Sequence, residues 1–367
     1  MVAIPLTLGV RTVAPSYARS VEGAAAGPLV DTHGRVHRDL RVSLTDRCSL
    51  RCTYCMPEQG MEWLARTSIL TLDEIERVVR VAAGAGIRTI RLTGGEPLLR
   101  PDLAEIVRRL AAIETSDGPL ELAMTTNGIG LDRALPGLVA AGLTRLNISL
   151  DTLRADRFRD LTRRDRLADV LTGIEAARAS GLRPLKLNTV AMRGVNDDEL
   201  VDLVEFAIVN DAQLRFIEQM PLDAGHTWTR DAMVTREEIL DALAARWTLA
   251  PVEGRGGAPA ERWRLDGVSL SSGEPAVVGV IASVTAPFCG DCDRLRLTAD
   301  GQLRNCLFST SEYDLLPSLR DPELDGGPAD DAVDRVLRSC VRGKLPGHAI
   351  DDPGFLQPAR GMNAIGG

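Results

Sequence analysis

Short runs of apolar residues occur at 40–44, 87–93, 120–125, 144–150, 184–190 and 213–218, and between them the apolar spacing lengthens to that of helices, as at 73–85, 101–113, 167–179 and 197–209. Strands alternating with helices predict an α/β fold with a parallel sheet, and six such units predict a partial (βα)6-type TIM barrel. Chemistry in such folds sits at the C-terminal strand ends. These strands run into Thr45-Asp46-Arg47-Cys48, Thr93-Gly94-Gly95-Glu96-Pro97, Thr125-Thr126-Asn127-Gly128 and Asp151-Thr152, all polar or turn-forming.

The period of two also sorts the faces of each strand. Leu40, Val42 and Leu44 fall opposite Arg41, Ser43 and Thr45; Ile90 and Leu92 fall opposite Arg91 and Thr93; Ile148 and Leu150 fall opposite Asn147 and Ser149; Leu185 and Leu187 fall opposite Lys186 and Asn188. If the apolar faces meet the helices, Arg41, Arg91 and Lys186 point inward. Unpaired buried cations cost several kcal/mol each, so carboxylates or a bound anion must accompany them. Arg215 lies on the last of these strands with its facing ambiguous.

After Glu218 the rhythm changes to a helix at about 235–246, a Gly/Pro-rich stretch at 251–260, and strand-like segments at 261–265, 277–284 and 294–298. This predicts a barrel over 35–234, a smaller C-terminal subdomain over 235–345 and a tail over 346–367. Residues 1–34 lack a sustained period and read as a loosely attached, disordered extension. Asp300-Gly301 predicts a two-residue hairpin turn that sets Cys306 opposite Leu295, near Cys292.

Composition narrows the class. The chain has 367 residues, 44% hydrophobic and 26% charged, and no apolar run near the length of a membrane span, which predicts a soluble globular protein without membrane association, while two three-cysteine sets predict reduced, metal-binding thiols in the cytoplasm. A net charge of −8 argues against a nucleic-acid-coating surface, so any anionic ligand needs a local cationic site.

Seven cysteines are too few for a disulfide scaffold, and they cluster: Cys48, Cys52 and Cys55; Cys289, Cys292 and Cys306; and Cys340 alone, an ordinary thiol. Structural zinc takes four closed ligands, and His33 and His37 are the nearest candidates to complete the first set. Three thiolates suit a 4Fe-4S cluster with one iron left open to a ligand. Zinc remains the competing reading for both sets, more so for the second, whose spacing is less specific.

Cys48-x3-Cys52-x2-Cys55 with Tyr54, followed by Gly94-Gly95-Glu96-Pro97, resembles the radical S-adenosylmethionine (SAM) superfamily. The stretch 41–55, RLTGGEP at 91–97, TTNG at 125–128, NISLD at 147–151, RFIEQMP at 215–221, the second triplet with Arg294-Leu295-Arg296, and the terminal Gly366-Gly367 together resemble the GTP 3′,8-cyclase family of molybdenum-cofactor biosynthesis.

The resemblance implies two 4Fe-4S clusters, on Cys48, Cys52 and Cys55 and on Cys289, Cys292 and Cys306. It implies SAM contacts from Tyr54, Gly95, Ser149 and Met220, and GTP contacts from Arg41, Arg91, Thr125, Lys186, Arg294, Leu295 and Arg296. Arg294, Arg296, Gly366 and Gly367 are the implied catalytic group. The implied enzyme is a lyase converting GTP to (8S)-3′,8-cyclo-7,8-dihydroguanosine 5′-triphosphate through a 5′-deoxyadenosyl radical. Implied partners are an electron donor, a second copy in a homodimer, and a downstream cyclic pyranopterin monophosphate synthase that takes the product. Another radical SAM enzyme with an auxiliary cluster, or a non-catalytic iron–sulfur sensor, are the competing functions.

Overall fold

The computed structural model describes residues 27–223 and 228–366. Six strands alternate with helices in chain order: β1 (Asp39–Ser43), α1 (Leu72–Gly84), β2 (Thr89–Thr93), α2 (Leu103–Ala111), β3 (Glu121–Thr126), α3 (Leu131–Ala140), β4 (Arg145–Ser149), α4 (Ala155–Thr162), α5 (Leu167–Ala179), β5 (Leu185–Ala191), α6 (Leu200–Val209) and β6 (Ala212–Glu218). The chain continues through α7 (Arg236–Ala244), β7 (Leu249–Val252), β8 (Glu261–Ser269), β9 (Pro275–Ile281), β10 (Arg294–Leu297), β11 (Gln302–Arg304), β12 (Tyr313–Asp314), α8 (Leu316–Arg320), α9 (Gly326–Arg342) and α10 (Met362–Ile365).

The strands form one sheet, ordered β12-β11-β10-β1-β2-β3-β4-β5-β6-β9-β8-β7. From β10 to β9 every neighbour is parallel, and the remaining edge strands are antiparallel. The C-terminal strands therefore extend the sheet at both edges, and residues 282–293, which carry Cys289 and Cys292, connect the two.

Local signals agree with these elements. Helix α1 begins at a capping box, where Glu74 N–H donates to Thr71 Oγ1 at 3.2 Å and Thr71 N–H donates to Glu74 Oε2 at 2.7 Å. Its apolar stripe, Ile75, Val78, Val79 and Ala82, is fully buried. Leu40, Val42, Leu44, Ile90, Leu92, Leu146, Ile148, Leu185 and Leu187 join the same core. Burial of each large apolar side chain stabilises the fold by roughly 1.5–3 kcal/mol.

Two expectations change, and one helix was not foreseen. Residues 27–34 are packed in place: Leu29 is fully buried and its N–H donates to Ala85 O at 2.9 Å, while residues 1–26 lie outside the described residues. The hairpin register moves by one, pairing Arg296 with Arg304 and Leu297 with Leu303. Thr298 N–H donates to Gln302 O at 2.9 Å across a three-residue loop in which Gly301 has φ +79°. Such a loop needs a left-handed residue only at the glycine. Extending this register sets Cys306 opposite Arg294 rather than Leu295. Helix α9 was not foreseen from the sequence, because Gly326-Gly327-Pro328 at its start reads as loop despite Asp325 before it. Its buried stripe of Ala329, Val333, Leu337, Cys340 and Val341 holds it, with Asp325 accepting from Gly326 N–H at 2.7 Å.

Candidate functional site

A cavity of about 920 Å³ opens beside the C-terminal strand ends, and both cysteine triplets line it. All six thiols are free of disulfides. Burial pushes Cys48 up to about 11 and Cys55 to about 12, and holds Cys52 well above its ordinary value. Thiolates so placed need an electropositive partner. Among the described residues no three His, Cys, Asp or Glu side chains converge closely enough to hold a single metal ion. Each triplet instead faces the cavity, the arrangement that a multi-iron cluster with one ligand-facing iron requires. The donors fit such a group.

The loop of the first triplet is braced from several elements. Arg51 and Thr53 donate backbone N–H bonds to Thr162 O and Leu161 O, both at 2.9 Å. Arg163 caps α4 in a left-handed conformation and donates to Arg51 O and Met56 O. Gly95 N–H donates to Thr45 O at 2.7 Å and Glu96 N–H to Arg47 O at 2.8 Å, tying the Gly-Gly turn to the same loop. A Cβ on Gly95 would fall 2.2 Å from Arg47 O, so only glycine permits this approach. The buried Glu96 carboxylate accepts from Thr126 Oγ1 at 2.6 Å and Asn127 N–H at 2.7 Å. Asn127 in turn donates to Ser49 Oγ at 2.9 Å and lies 3.7 Å from Cys48 Sγ.

Tyr54, Gly95, Ser149 and Met220, the expected SAM contacts, all line this cavity. Tyr54 donates to Asp151 Oδ2 at 2.7 Å. Burial raises Asp151 to about 6, against the opposing hydrogen bonds from Tyr54 and Val190.

Arg41, Arg91, Thr125, Lys186, Arg294 and Arg296 line it as well, joined by Arg145 and Arg215. The faces follow from register. Arg41 is paired with Arg91 on one side and Arg296 on the other, while Asn147 stands between Thr125 and Lys186. Arg91 and Arg294 are each 8% exposed, yet Arg91 Nε and Nη1, Arg294 Nε and Nη2, and Arg41 Nε have no hydrogen-bond partner. Burial, then repulsion from Arg215, Arg145 and Arg91, lowers Lys186 to about 7. Orphaned donors among like charges are what a polyanion would satisfy.

Three expected residues stand apart. The Leu295 side chain lies in the hydrophobic core, because its neighbours Arg294 and Arg296 take the cavity face. Gly366 is buried against Ser43 and Thr93, and its carbonyl accepts from Arg296. Gly367 lies outside the described residues. The tail is anchored through Asn363, which donates to Asp46 O at 3.1 Å.

The second triplet has supports that no motif announced. Arg35, paired with Asp31 at 2.6 Å, donates to Cys289 O at 2.6 Å and Leu345 O at 2.8 Å. Lys344 reaches Cys292 Sγ at 3.4 Å. Burial and the neighbouring thiols raise Cys289; for Cys292, burial also raises the thiol, but Arg294 and Lys344 outweigh it and lower the net value. The rarity of lysine, present only at 186 and 344, was the one available signal.

The Radical SAM superfamily profile matches residues 42–207, and the Molybdenum Cofactor Synthesis C profile matches residues 212–350. The chain is 55% identical over 352 residues to the GTP 3′,8-cyclase of Streptomyces coelicolor, covering 95% of this chain and 99% of that one. It is 53% identical over 345 residues to that of Corynebacterium glutamicum, covering 92% and 89%, and 48% identical over 367 residues to that of Mycolicibacterium smegmatis, covering 98% and 99%. Among solved structures, Streptococcus suis SuiB is similar in fold, with a TM-score of 0.55 at 14% identity over 86% of this chain and 68% of SuiB. The two profiles span both cysteine triplets, and the similarity to these cyclases runs through the cation-bearing strands: the chain belongs to the GTP 3′,8-cyclase family of the radical SAM superfamily.

Proposed function

We propose that the chain converts GTP to (8S)-3′,8-cyclo-7,8-dihydroguanosine 5′-triphosphate, the first step of molybdenum-cofactor biosynthesis. The observation that carries this reading is one cavity lined by two separate cysteine triplets and by buried guanidinium groups that keep N–H donors without a hydrogen-bond partner. Cys48, Cys52 and Cys55 would hold one 4Fe-4S cluster, and Cys289, Cys292 and Cys306 the other. When bound, the first cluster and SAM supply the 5′-deoxyadenosyl radical that starts the reaction at C3′ of GTP.

The protein's own part is to bind, orient and exclude. Arg41, Arg91 and Arg296, in one row, present guanidinium forks to the triphosphate, with Lys186 and Thr125 beside them. Arg294 stands two residues beyond Cys292, where it can address nucleotide near the second cluster. Tyr54, oriented by Asp151, together with Ser149, Met220 and the Gly95 backbone, forms the SAM side. Binding energy from the triphosphate holds the ribose in reach of the radical carbon. The buried Gly366 carbonyl orients Arg296.

Strands seven places apart in the sheet order, β9 and β10, contribute to the same cavity, which supports curvature of the six central strands into a part-barrel. Within this reading 35–234 forms the radical SAM barrel, 235–345 the subdomain with the second cluster, and 346–367 the tail. A cytoplasmic homodimer, an external electron donor and product transfer to the synthase complete the proposal. Among the described residues no helix is long and apolar enough to cross a membrane.

The test is 5′-deoxyadenosine formation by the anaerobically reconstituted chain with dithionite and SAM, alone, with ATP and with GTP. Formation stimulated by GTP alone, with loss of GTP, is expected. Equal slow cleavage in all three would remove GTP as the substrate.

A further inference from the structure

We infer that Lys344 is a positioning residue that sets the reduction equilibrium of the second iron–sulfur cluster through a direct bond to the Cys292 sulfur. This rests on the assignment of Cys289, Cys292 and Cys306 to that cluster. Lys344 follows the last turn of α9, where its N–H donates to Val341 O at 3.1 Å, and the residue is 4% exposed. Its ammonium group reaches Cys292 Sγ at 3.4 Å and the Arg294 carbonyl at 2.7 Å. One side chain thus joins a cluster ligand to the backbone of the arginine two residues on, and restrains the Cys292 side chain.

A buried ammonium is costly unless an anion faces it. The group that faces the ammonium is the Cys292 sulfur, which supplies the counter-charge as thiolate. The first triplet differs: the side-chain donor at the Cys48 sulfur is the neutral Asn127 amide, at 3.7 Å. Hydrogen bonds and charge at cluster sulfurs set cluster potential. A fixed cation favours the more negative, reduced state, so the second cluster takes up one electron from an external reductant more readily than it would without Lys344.

The experiment uses the full chain with Cys48→Ser, Cys52→Ser and Cys55→Ser, so that only the second cluster is reconstituted. Iron content is measured, and the one-electron reduction is followed by electron paramagnetic resonance during a mediated dithionite titration. Lys344→Met is expected to retain the cluster and lower the equilibrium constant for reduction at least tenfold, about 59 mV for one electron. Lys344→Gln, with a donor but no charge, should fall between Met and the parent, and Lys344→Arg should stay near the parent. An unchanged potential in an iron-replete Lys344→Met would overturn the inference. If Met and Gln both lose iron while Arg retains it, the charge requirement stands; loss in all three would reduce Lys344 to a packing role and overturn it. A parent without a four-iron signal would instead overturn the cysteine assignment, and the inference with it.

Discussion

Arg41 and Arg296 stand opposite each other in register on adjacent parallel strands, β1 and β10, with Arg91 opposite Arg41 on the other flank. Like charges placed directly across a sheet repel. Guanidinium groups do not escape by losing a proton, so the repulsion remains as a cost to the ligand-free chain and becomes an attraction once a polyanion enters.

Replacing Arg41 with methionine, similar in length but uncharged, is therefore expected to have opposite effects with and without nucleotide. The free chain should melt no lower than the parent, while GTP binding loses a charge-assisted hydrogen bond worth about 1.5–3 kcal/mol, roughly 10- to 150-fold in affinity. Thermal melts with and without GTP, together with calorimetric binding, check this. A large drop in the melting temperature of the free chain would show that Arg41 is paired within the protein.

The Gly95 turn should separate SAM binding from GTP binding. In Gly95→Ala the new Cβ meets backbone oxygens, Arg47 O at 2.2 Å and Asp46 O at 2.5 Å, which cannot yield as a flexible side chain would. The turn and the first-triplet loop must part. Expected outcomes are a loss of SAM binding of roughly 5- to 150-fold, from overpacking strain of roughly 1–3 kcal/mol, with GTP affinity unchanged, both measured by equilibrium dialysis.

Lys186 couples nucleotide binding to protons. Its value of about 7 in the free chain means that at pH 8 it is mostly neutral. An entering triphosphate favours the ammonium form, so binding at pH 8 takes up close to one proton. Calorimetry in buffers of different ionisation enthalpy should detect this uptake at pH 8, and Lys186→Met should abolish it. Uptake that survives the substitution would assign the proton elsewhere.

His37, fully buried beside Asp31 at 3.3 Å, is held down to about 4 by burial and then by Lys344. The unfolded chain takes this proton near 6.5, so between 6.5 and 4 the unfolded state binds more protons and stability falls as pH falls. The gap amounts to about 3 kcal/mol. Urea unfolding of the cluster-free chain at pH 7 and 4.5 should show the parent losing more stability than His37→Gln. Equal losses would place the acid sensitivity in other groups.

Much of this protein is legible along the chain because the signals are local. Strand alternation selects Arg41, Arg91 and Lys186 as one-sided cations, since the apolar residues beside them can be buried on only one face. The spacing of Cys48, Cys52 and Cys55 marks a single loop, and a Gly-Gly turn needs no distant partner to be noticed. The hairpin register is less accessible, because Asp300-Gly301 fits a two-residue turn as readily as the three-residue loop. Thr298, bonded to Asp300 at 2.6 Å, and Arg360, bonded to the same carboxylate, accompany the observed form.

Contacts over long stretches of chain had to await the folded molecule. Arg35 meets Cys289 and Leu345, Asn363 meets Asp46, and Lys344 meets Cys292; nothing in the sequence pairs these residues, and each pair acquires meaning only through proximity. The order along the chain is enough to name the kinds of chemistry present. Tertiary packing alone sets the electrostatics of the site, because burial and neighbouring charge, rather than residue type, decide whether a buried cation is a cost or a binding group.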